Sequence, residues 1–184
     1  MRIVGGERKG VLLQAPRGDL TRPTSDRARQ AVFDMLAHAP WAGMDLLRNA
    51  RVLDAFSGTG ALGLEALSRG AASAVFMEHD RGARAALSAN IRACRFEAHD
   101  LTVLPCDVTR APRASRPCSL VFLDPPYGRD LVPAALKALT RSDWIAPGAL
   151  IVAETALQDA LEETPPLLAE RRFGVARVRI WRVG

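Results

Sequence analysis

Four carboxylates follow apolar runs that are typical of buried β-strands. Asp54 ends the run RVLD, Glu78 ends SAVFME, Asp107 ends LTVLPCD and Asp124 ends SLVFLD. In an open sheet of parallel strands, ligands bind beyond the carboxyl ends of the strands, which lie along one edge. Ionised carboxylates accept hydrogen bonds and donate none. The sequence therefore predicts an acid-lined crevice that binds amino and hydroxyl groups.

A glycine-rich turn follows the first of these runs. Gly58, Gly60 and Gly63 form the pattern G-x-G-x-x-G, and Glu78 lies twenty residues after Gly58. This spacing is typical of a dinucleotide site, where the acidic residue binds a ribose. Asp54 argues against a pyrophosphate, because like charges about 4 Å apart repel by several kcal/mol at intermediate dielectric constant. A cationic ligand without phosphate, such as S-adenosylmethionine, fits better.

In that interpretation each polar group has a separate role. Asp54 directs its charge into the crevice, Glu78 binds the ribose, and Asp107 accepts a hydrogen bond from the adenine amino group. Gly58 and Gly60 let the backbone approach the amino-acid part of the cofactor. The alternative for Asp54 and Asp107 is that each caps a turn.

The segment DPPY, residues 124–127, has the residue types needed to act on an exocyclic amine of a nucleobase. The Asp124 carboxylate and the Pro125 carbonyl are two acceptors that can orient such an amine. Pro126 stiffens the turn because proline fixes φ near −65°. Tyr127 offers a face on which an extruded base can stack, and Arg129 is a candidate phosphate contact. The segment therefore predicts a catalytic element that works by position and electrostatics.

The elements that position these residues follow an α/β pattern. Apolar strand-like runs alternate with helical segments, which predicts a mostly parallel, doubly wound sheet. The C-terminal stretch LLAERRFGVARVRIWRV predicts an antiparallel pair at the sheet edge. A short β-hairpin and a helix capped by Thr24 or Ser25 precede the core, and Ala28, Ala31, Val32, Met35 and Leu36 are predicted to face inward. We expect one domain over 1–184, with an extension over 1–48 and a catalytic core over 49–184.

The distribution of charge favours a polyanionic partner. The formal net charge is +5, and every basic residue except Lys9 and Lys137 is an arginine. Residues 1–29 carry seven basic and three acidic side chains, and residues 166–184 carry five and one. Basic ends around a nearly neutral middle are typical of nucleic-acid binding. The predicted RNA-binding residues are Arg2, Arg8, Lys9, Arg22, Arg27 and Arg129.

Composition also excludes several classes of protein. The three cysteines form no CxxC pair, so we predict neither a disulfide framework nor a metal site. No apolar run reaches the roughly 18 residues of a membrane span, and the first residues lack the apolar core of a signal peptide. The expected location is the cytoplasm.

Several motifs together resemble a known family, the bacterial small-subunit (16S) rRNA guanine-N2 methyltransferases of the RsmD type. They are RIVGGERKG, RPTSDRARQAVFDML, LDAFSGTGALGLEALSRGA and VFLDPPY. The resemblance implies a Rossmann-like class I methyltransferase fold with S-adenosylmethionine as donor. It also implies a guanine acceptor, guanine 966, in 16S rRNA within an assembling small subunit. No obligatory protein partner is evident, and we expect a monomer.

The resemblance also implies roles for individual residues. Ser57 joins Asp54 and the loop glycines at the amino-acid end of the cofactor. The element Arg-Pro-Thr-x-Asp-Arg, at 22–27, is expected to close the cofactor pocket or to hold RNA, with Thr24 on the cofactor side. Members of the family often have phenylalanine at the position of Tyr127, a change that preserves stacking.

Other functions compete with this prediction. An adenine-N6 methyltransferase acting on DNA or RNA would use the same tetrapeptide. A cytosine-C5 enzyme needs a cysteine nucleophile beside Asp124, and neither Cys106 nor Cys118 is suitably placed. From another class, a non-catalytic RNA-binding protein or a dinucleotide-binding Rossmann protein would share the basic ends or the glycine loop. Calorimetry with S-adenosylmethionine separates the catalytic from the non-catalytic interpretation.

Overall fold

The computed structural model describes residues 1–16, 25–42, 45–97, 100–126, 131–159 and 166–184. Within them, helices and strands alternate as expected for an α/β protein. The helices are α1 (Asp26–His38), α2 (Ala61–Ser68), α3 (Arg81–Cys94) and α4 (Leu131–Arg141). The strands are β1 (Arg51–Ala55), β2 (Ser73–Met77), β3 (Leu101–Leu104), β4 (Cys118–Leu123), β5 (Ile145–Ala156), β6 (Leu167–Phe173) and β7 (Ala176–Arg182).

The described strands form one seven-stranded sheet in the order β3-β2-β1-β4-β5-β7-β6. The five strands from β3 to β5 are parallel, whereas β7 runs antiparallel to both β5 and β6. The predicted antiparallel C-terminal pair is therefore confirmed. The order reverses between β1 and β4, and a ligand crevice is expected outside the carboxyl ends of the strands at that point.

Both faces of the sheet are covered, which explains why its central strands are apolar throughout. One face packs against α1, α2 and α3, with Phe33 of α1 lying 5.6 Å from Phe122 of β4 between ring centroids. The other face packs against α4 through Val132, Ala135 and Leu139. Continuous apolar strands are typical of a parallel sheet buried on both sides.

Helix ends are capped where the sequence supplies short polar side chains. The Ser25 hydroxyl accepts a hydrogen bond from the Ala28 N–H at 3.1 Å, so Ser25 caps α1. Asp80 caps α3 by accepting from the Ala83 N–H at 2.7 Å. Each cap satisfies a backbone donor that the first turn leaves without a partner.

The buried face of α1 differs from the predicted one. Ala28, Val32 and Leu36 are buried as expected, but Arg29 and Phe33 are also fully buried. Ala31 and Met35 are only half-buried. The buried guanidinium of Arg29 faces a carboxylate on α2, that of Glu65, with 3.5 Å between Nε and Oε2.

The N-terminal extension begins with a hairpin, as predicted. Arg2 and Leu12 form an antiparallel bridge, and Ile3 donates to the Val11 carbonyl at 2.9 Å. The hairpin is short, since that bridge is its one ladder contact among the described residues. None of the helices in the described ranges is long and apolar enough to cross a membrane.

Candidate active site

The strand register brings the predicted acids together. Ala55 of β1 pairs with Met77 of β2 on one side and with Leu123 of β4 on the other. The residues that follow these three, Phe56, Glu78 and Asp124, therefore leave the sheet side by side. Asp54 lies one residue earlier on β1 and interacts electrostatically with both other acids. Glu78 and Asp124, two of the acids predicted at this edge, therefore lie on either side of the loop that follows β1.

The glycine loop crosses this edge in a conformation that requires glycine. Gly58 and Gly60 have φ values of 52° and 78°, in the left-handed region that other residues rarely adopt. The Gly60 N–H donates to the Ser57 carbonyl at 2.6 Å, and the Ser57 N–H donates to the Met77 carbonyl at 3.0 Å. The loop is therefore held in place by the end of β2.

The three glycines face different surroundings. A Cβ atom on Gly60 would lie 2.3 Å from the Leu87 side chain, and one on Gly63 would lie 2.4 Å from the Phe76 ring. A Cβ on Gly58 would meet only the Phe56 carbonyl oxygen, at 4.0 Å. Gly60 and Gly63 are thus required by helix packing, whereas Gly58 borders open space. Of the three, Gly58 is the one placed to approach a ligand.

Asp54 is buried behind this loop. It is 1% exposed, and its Oδ2 accepts a hydrogen bond from the Gly63 N–H at 2.8 Å. Burial raises the pKa of Asp54 well above its usual value, the Gly63 hydrogen bond opposes the shift, and the nearby Asp124 and Glu78 charges add to it. The expectation that Asp54 directs a charge into the crevice needs correction, because its carboxyl group is directed at the start of α2. The charge argument against a pyrophosphate must therefore depend on Glu78 and Asp124.

Glu78 connects the glycine loop to the start of α3. Its Oε2 accepts from the Gly58 N–H at 2.9 Å, and its Oε1 accepts from the Asp80 N–H at 2.7 Å. The side chain is largely buried, and His79 Nδ1 lies 3.5 Å from Oε1. The predicted ribose-binding acid is therefore held at the loop glycine that borders open space.

Asp107 lies three residues beyond the end of β3 and is exposed. Its Oδ1 accepts from the Thr109 hydroxyl at 2.8 Å and from the Thr109 N–H at 2.9 Å. These two hydrogen bonds lower the pKa of Asp107 below its usual value. The residue therefore does cap a turn, a 3-10 helix over Val108–Arg110. Its carboxylate is ionised near neutral pH and is exposed at the predicted edge.

The DPP part of the catalytic segment follows β4 directly. Asp124 is half-buried, Pro125 is buried and Pro126 is exposed. This places a carboxylate beside the glycine loop with rigid backbone behind it. Other predicted residues, namely Tyr127, Arg129, Arg22 and Thr24, lie outside the described residues.

The predicted RNA-binding residues that the structure describes are divided between the two edges of the sheet, the crevice edge and the opposite one. Arg2 contacts Asp26 at the start of α1, at 3.6 Å between Nε and Oδ2, and the neighbouring Arg27 is exposed. The chain just beyond the C-terminal end of α1 lies at the opposite edge of the sheet, because the Arg182 guanidinium donates to the Trp41 carbonyl at 3.3 Å. The start of α1 therefore lies toward the crevice edge.

Arg8 and Lys9 are at that opposite edge. The Arg8 N–H donates to the Ser68 hydroxyl at the end of α2, and its guanidinium pairs with Glu7 at 2.9 Å and lies over the Phe96 ring. Lys9 is exposed beside it. The two residues therefore lie about a helix length, roughly 12 Å for the eight residues of α2, from the crevice.

The predictions from the sequence missed a buried ion network next to the site. Glu65 of α2 is fully buried, and its Oε1 accepts from Arg69 at 2.8 Å. Its Oε2 accepts from the Val4 N–H at 2.8 Å and lies 3.5 Å from Arg29 Nε. The network joins α1, α2 and the N-terminal hairpin. A charged residue within the apolar helix GALGLEALS was the signal that could have revealed it.

The three cysteines are protonated thiols near neutral pH, because the pKa of each is raised. Burial raises the pKa of Cys94 and of Cys118 to about 11, and it also raises the pKa of Cys106. A raised pKa keeps a thiol protonated and weakly nucleophilic. In the described part of the chain, no cluster of three histidine, cysteine or carboxylate side chains is arranged to hold a metal ion.

The fold and the site together define a class. A mostly parallel sheet in which an antiparallel β7 lies between β5 and β6 is the Rossmann-like class I methyltransferase fold. This strand order departs from the order 3-2-1-4-5-6 of dinucleotide-binding proteins. The chain belongs to the protein family described as "Conserved hypothetical protein 95", whose model matches residues 1–182. The RsmD-type resemblance expected from the motifs is confirmed by named relatives.

Curated relatives cover almost the whole chain. The ribosomal RNA small subunit methyltransferase D of Escherichia coli K12 is 35% identical over 177 residues, 96% of this chain and 85% of that protein. The enzyme of the same name from Haemophilus influenzae is 30% identical over 187 residues, 99% of this chain and 93% of that protein. The YlbH protein of Bacillus subtilis is 32% identical over 189 residues, 99% of this chain and 98% of that protein.

Solved structures agree on the fold. The yhhF protein of Escherichia coli has a TM-score of 0.83 at 34% identity, covering 100% of this chain and 97% of its own. An RNA methyltransferase from Salinibacter ruber, solved with S-adenosylhomocysteine, has a TM-score of 0.65 at 17% identity, covering 88% of this chain and 93% of its own. At that identity the second likeness shows the fold alone.

Proposed function

We propose that the protein transfers the methyl group of S-adenosylmethionine to the exocyclic N2 amine of a guanine in small-subunit rRNA. The observation that carries the proposal is the convergence of Asp124 with the glycine loop and Glu78 at one edge of a methyltransferase fold. The rRNA substrate is supported by the names of relatives that are at least 30% identical over nearly the whole chain.

The described residues fit the proposed cofactor. Gly58 borders open space, so its backbone can approach a ligand where a side chain would obstruct it. Glu78 is held beside Gly58 and would bind the ribose hydroxyls, and Ser57 belongs to the same loop. Asp107 would accept a hydrogen bond from the adenine amino group. Thr24 is also proposed to contact the cofactor. When bound, S-adenosylmethionine supplies an electrophilic methyl group.

Asp124 is the proposed catalytic residue. The lone pair of an exocyclic amine is conjugated into the base, so the amine is a poor nucleophile. A carboxylate that accepts its N–H bond, together with the Pro125 carbonyl, favours a pyramidal nitrogen with its lone pair directed outward. The amine becomes acidic only as it gains the methyl group, so a strong general base is not required. Asp124 has to orient the amine and to stabilise developing positive charge.

The choice of guanine depends on the pattern of donors. Guanine presents N1–H and N2–H side by side, which one carboxylate can accept, whereas adenine has an acceptor at N1 next to its N6 amine. The assignment to guanine 966 and to an assembling small subunit follows the family resemblance. Residues 1–48 are proposed to cover the cofactor and to contact the RNA.

The first prediction tests Asp124 directly. Replacing Asp124 with alanine should lower kcat for methyl transfer by at least about 100-fold, the effect of removing one preorganised transition-state contact. The dissociation constant for S-adenosylhomocysteine, measured by calorimetry, should change by less than about threefold. Glu97→Ala is the control, since Glu97 is an exposed acid near the end of α3. Undiminished turnover by Asp124→Ala would remove Asp124 from the mechanism.

A further inference from the structure

We propose that Asn90 is a positioning residue that ties the N-terminal extension to the glycine loop and thereby sets the affinity for the cofactor. The inference depends on the proposed cofactor site at that loop. Neither the glycine motif nor the DPPY segment includes this residue, which lies 30 residues beyond the loop on α3.

Asn90 occupies a position where an apolar residue is expected. The other buried residues of α3 are Ala83, Ala86, Leu87 and Cys94, all at helical spacing and all apolar in character. Asn90 lies within this stripe and is 0% exposed. A buried amide is unfavourable unless its hydrogen bonds are made, so its partners indicate its role.

The side chain of Asn90 makes three hydrogen bonds, all to backbone atoms of other segments. Its Oδ1 accepts from the Gln14 N–H at 2.7 Å, and its Nδ2 donates to the Gln14 carbonyl at 3.1 Å. The same Nδ2 donates to the Thr59 carbonyl at 2.9 Å. Both amide hydrogens and the oxygen are therefore used, and one side chain links the extension at residue 14 to the loop at residue 59.

The Thr59 contact is made at the centre of the glycine loop. Thr59 stands between Gly58 and Gly60, both with positive φ, which are the least restricted residues of the backbone. Glu78 holds the loop from the Gly58 side, and Asn90 holds it from the Thr59 side. Loss of the Asn90 contact would leave the carbonyl of the half-buried Thr59 without this partner and would free the loop to rearrange. Cofactor binding would then have to restore the loop conformation.

A second tether of the extension provides a matched comparison. The Ser68 hydroxyl donates to the Gly5 carbonyl at 2.6 Å and accepts from the Arg8 N–H at 2.9 Å. It therefore also fixes the extension through two backbone hydrogen bonds, but at the opposite edge from the loop. A residue that acts only by holding the extension should behave like Ser68. A residue that positions the loop should not.

The experiment compares Asn90→Leu, Asn90→Asp and Ser68→Ala with the wild-type protein. Leucine keeps the approximate volume without polar atoms, and aspartate keeps only the acceptor for the Gln14 N–H. The dissociation constant for S-adenosylhomocysteine is measured by calorimetry, and KM for S-adenosylmethionine and kcat are measured with rRNA. We expect both Asn90 variants to raise the dissociation constant and KM about tenfold, which corresponds to about 1.4 kcal/mol, within the cost of about 1–3 kcal/mol for one unmade hydrogen bond in the interior. The kcat at saturating cofactor should stay within about threefold.

Ser68→Ala separates positioning from stability. Ser68→Ala should lower the melting temperature, because it removes two hydrogen bonds to the extension. It should leave the cofactor dissociation constant within about twofold of the wild-type value. If Asn90→Leu and Ser68→Ala change affinity equally, or if neither Asn90 variant changes it, the inference is wrong. Failure of the wild-type protein to bind S-adenosylhomocysteine would instead contradict the proposed function.

A measurement on the wild-type protein covers the case in which the Asn90 variants do not fold. Hydrogen exchange is followed with and without S-adenosylhomocysteine. Because Asn90 links residue 14 to the loop, the cofactor should slow exchange in peptides containing residues 11–16 more than in peptides containing residues 5–9. Equal protection of both segments, or none in the first, would overturn the inference.

Discussion

The carboxylates at the crevice edge differ in what surrounds them, and this decides what each can do. Asp54 is enclosed behind the glycine loop with a raised pKa, Asp107 is exposed with a lowered one, and Asp124 is half-buried after β4. All three were found in the sequence as acids that end apolar runs. Their environments could not be found there, because the burial of Asp54 depends on the packing of α2 against β1 and β2.

A pH-dependent stability follows from Asp54. Its folded-state pKa is raised, so the folded protein holds this proton more tightly, and stability falls as the pH rises from the unfolded-state pKa through the folded one. Asp54→Asn removes this loss while keeping an acceptor for the Gly63 N–H. We expect the variant to melt above wild type at pH 8, by about 2–4 °C for each kcal/mol, and the difference to shrink as the pH approaches 4.

The pKa of Asp107 is shifted in the opposite direction from that of Asp54, so a variant at Asp107 serves as the control. Its lowered pKa contributes stability above the unfolded-state pKa, which is lost as the pH falls through the folded pKa. Asp107→Asn should therefore not raise the melting temperature at pH 8. A melting temperature of Asp54→Asn that is equal to or below wild type at pH 8 would contradict the assignment.

At the scale of elements, the pattern of strands and helices was largely predictable, and its internal polar contacts were not. The alternation of apolar runs predicted the parallel strands, and the lack of helical residues in LLAERRFGVARVRIWRV predicted β6 and β7. The inward rotation of Arg29 was missed, because it depends on Glu65 meeting it from another helix. Periodicity within one helix carries no information about a charged partner on the next.

The Glu65 network should dominate the stability of the junction between α1, α2 and the hairpin. Replacing Glu65 with glutamine leaves two largely buried guanidinium groups without their shared carboxylate. Removing one partner of a buried ion pair costs about 3–5 kcal/mol when the other charge is left uncompensated. Because Arg29 keeps its ion pair with Asp26, at 2.9 Å, the free energy of unfolding in urea should fall by an amount near the lower end of that range. Arg113→Ala breaks an exposed pair with Asp143 and should cost less than about 1 kcal/mol. Equal losses in the two variants would contradict the account of this network.

At the scale of the whole molecule, the basic residues that the structure describes do not form one continuous surface. Composition showed that both ends of the chain are basic, but only the fold shows which guanidinium groups lie near the crevice. Several are used internally, as in the largely buried Arg179, whose Nε lies 3.2 Å from Glu170. Arg27 is exposed at the crevice edge, and Lys9 is exposed at the opposite edge.

This division predicts different effects on RNA binding. Arg27→Ala should weaken binding to rRNA and lower the slope of log affinity against log salt concentration by about one, as the loss of one phosphate contact requires. Lys9→Ala should leave the slope unchanged when the RNA contacts only the crevice edge. Binding is measured by filter retention over a range of salt concentrations. A larger slope change for Lys9→Ala would place the RNA on the other edge.

The central claim is that one crevice unites a methyl donor and the amine of a guanine. Its most direct test is transfer of labelled methyl groups from S-adenosylmethionine to small-subunit rRNA from cells that lack this protein, followed by identification of the modified nucleoside. Naked rRNA and assembled particles are offered in parallel. The account predicts N2-methylguanosine as the labelled product. Labelled N6-methyladenosine, or no transfer to either form of the rRNA, would contradict it.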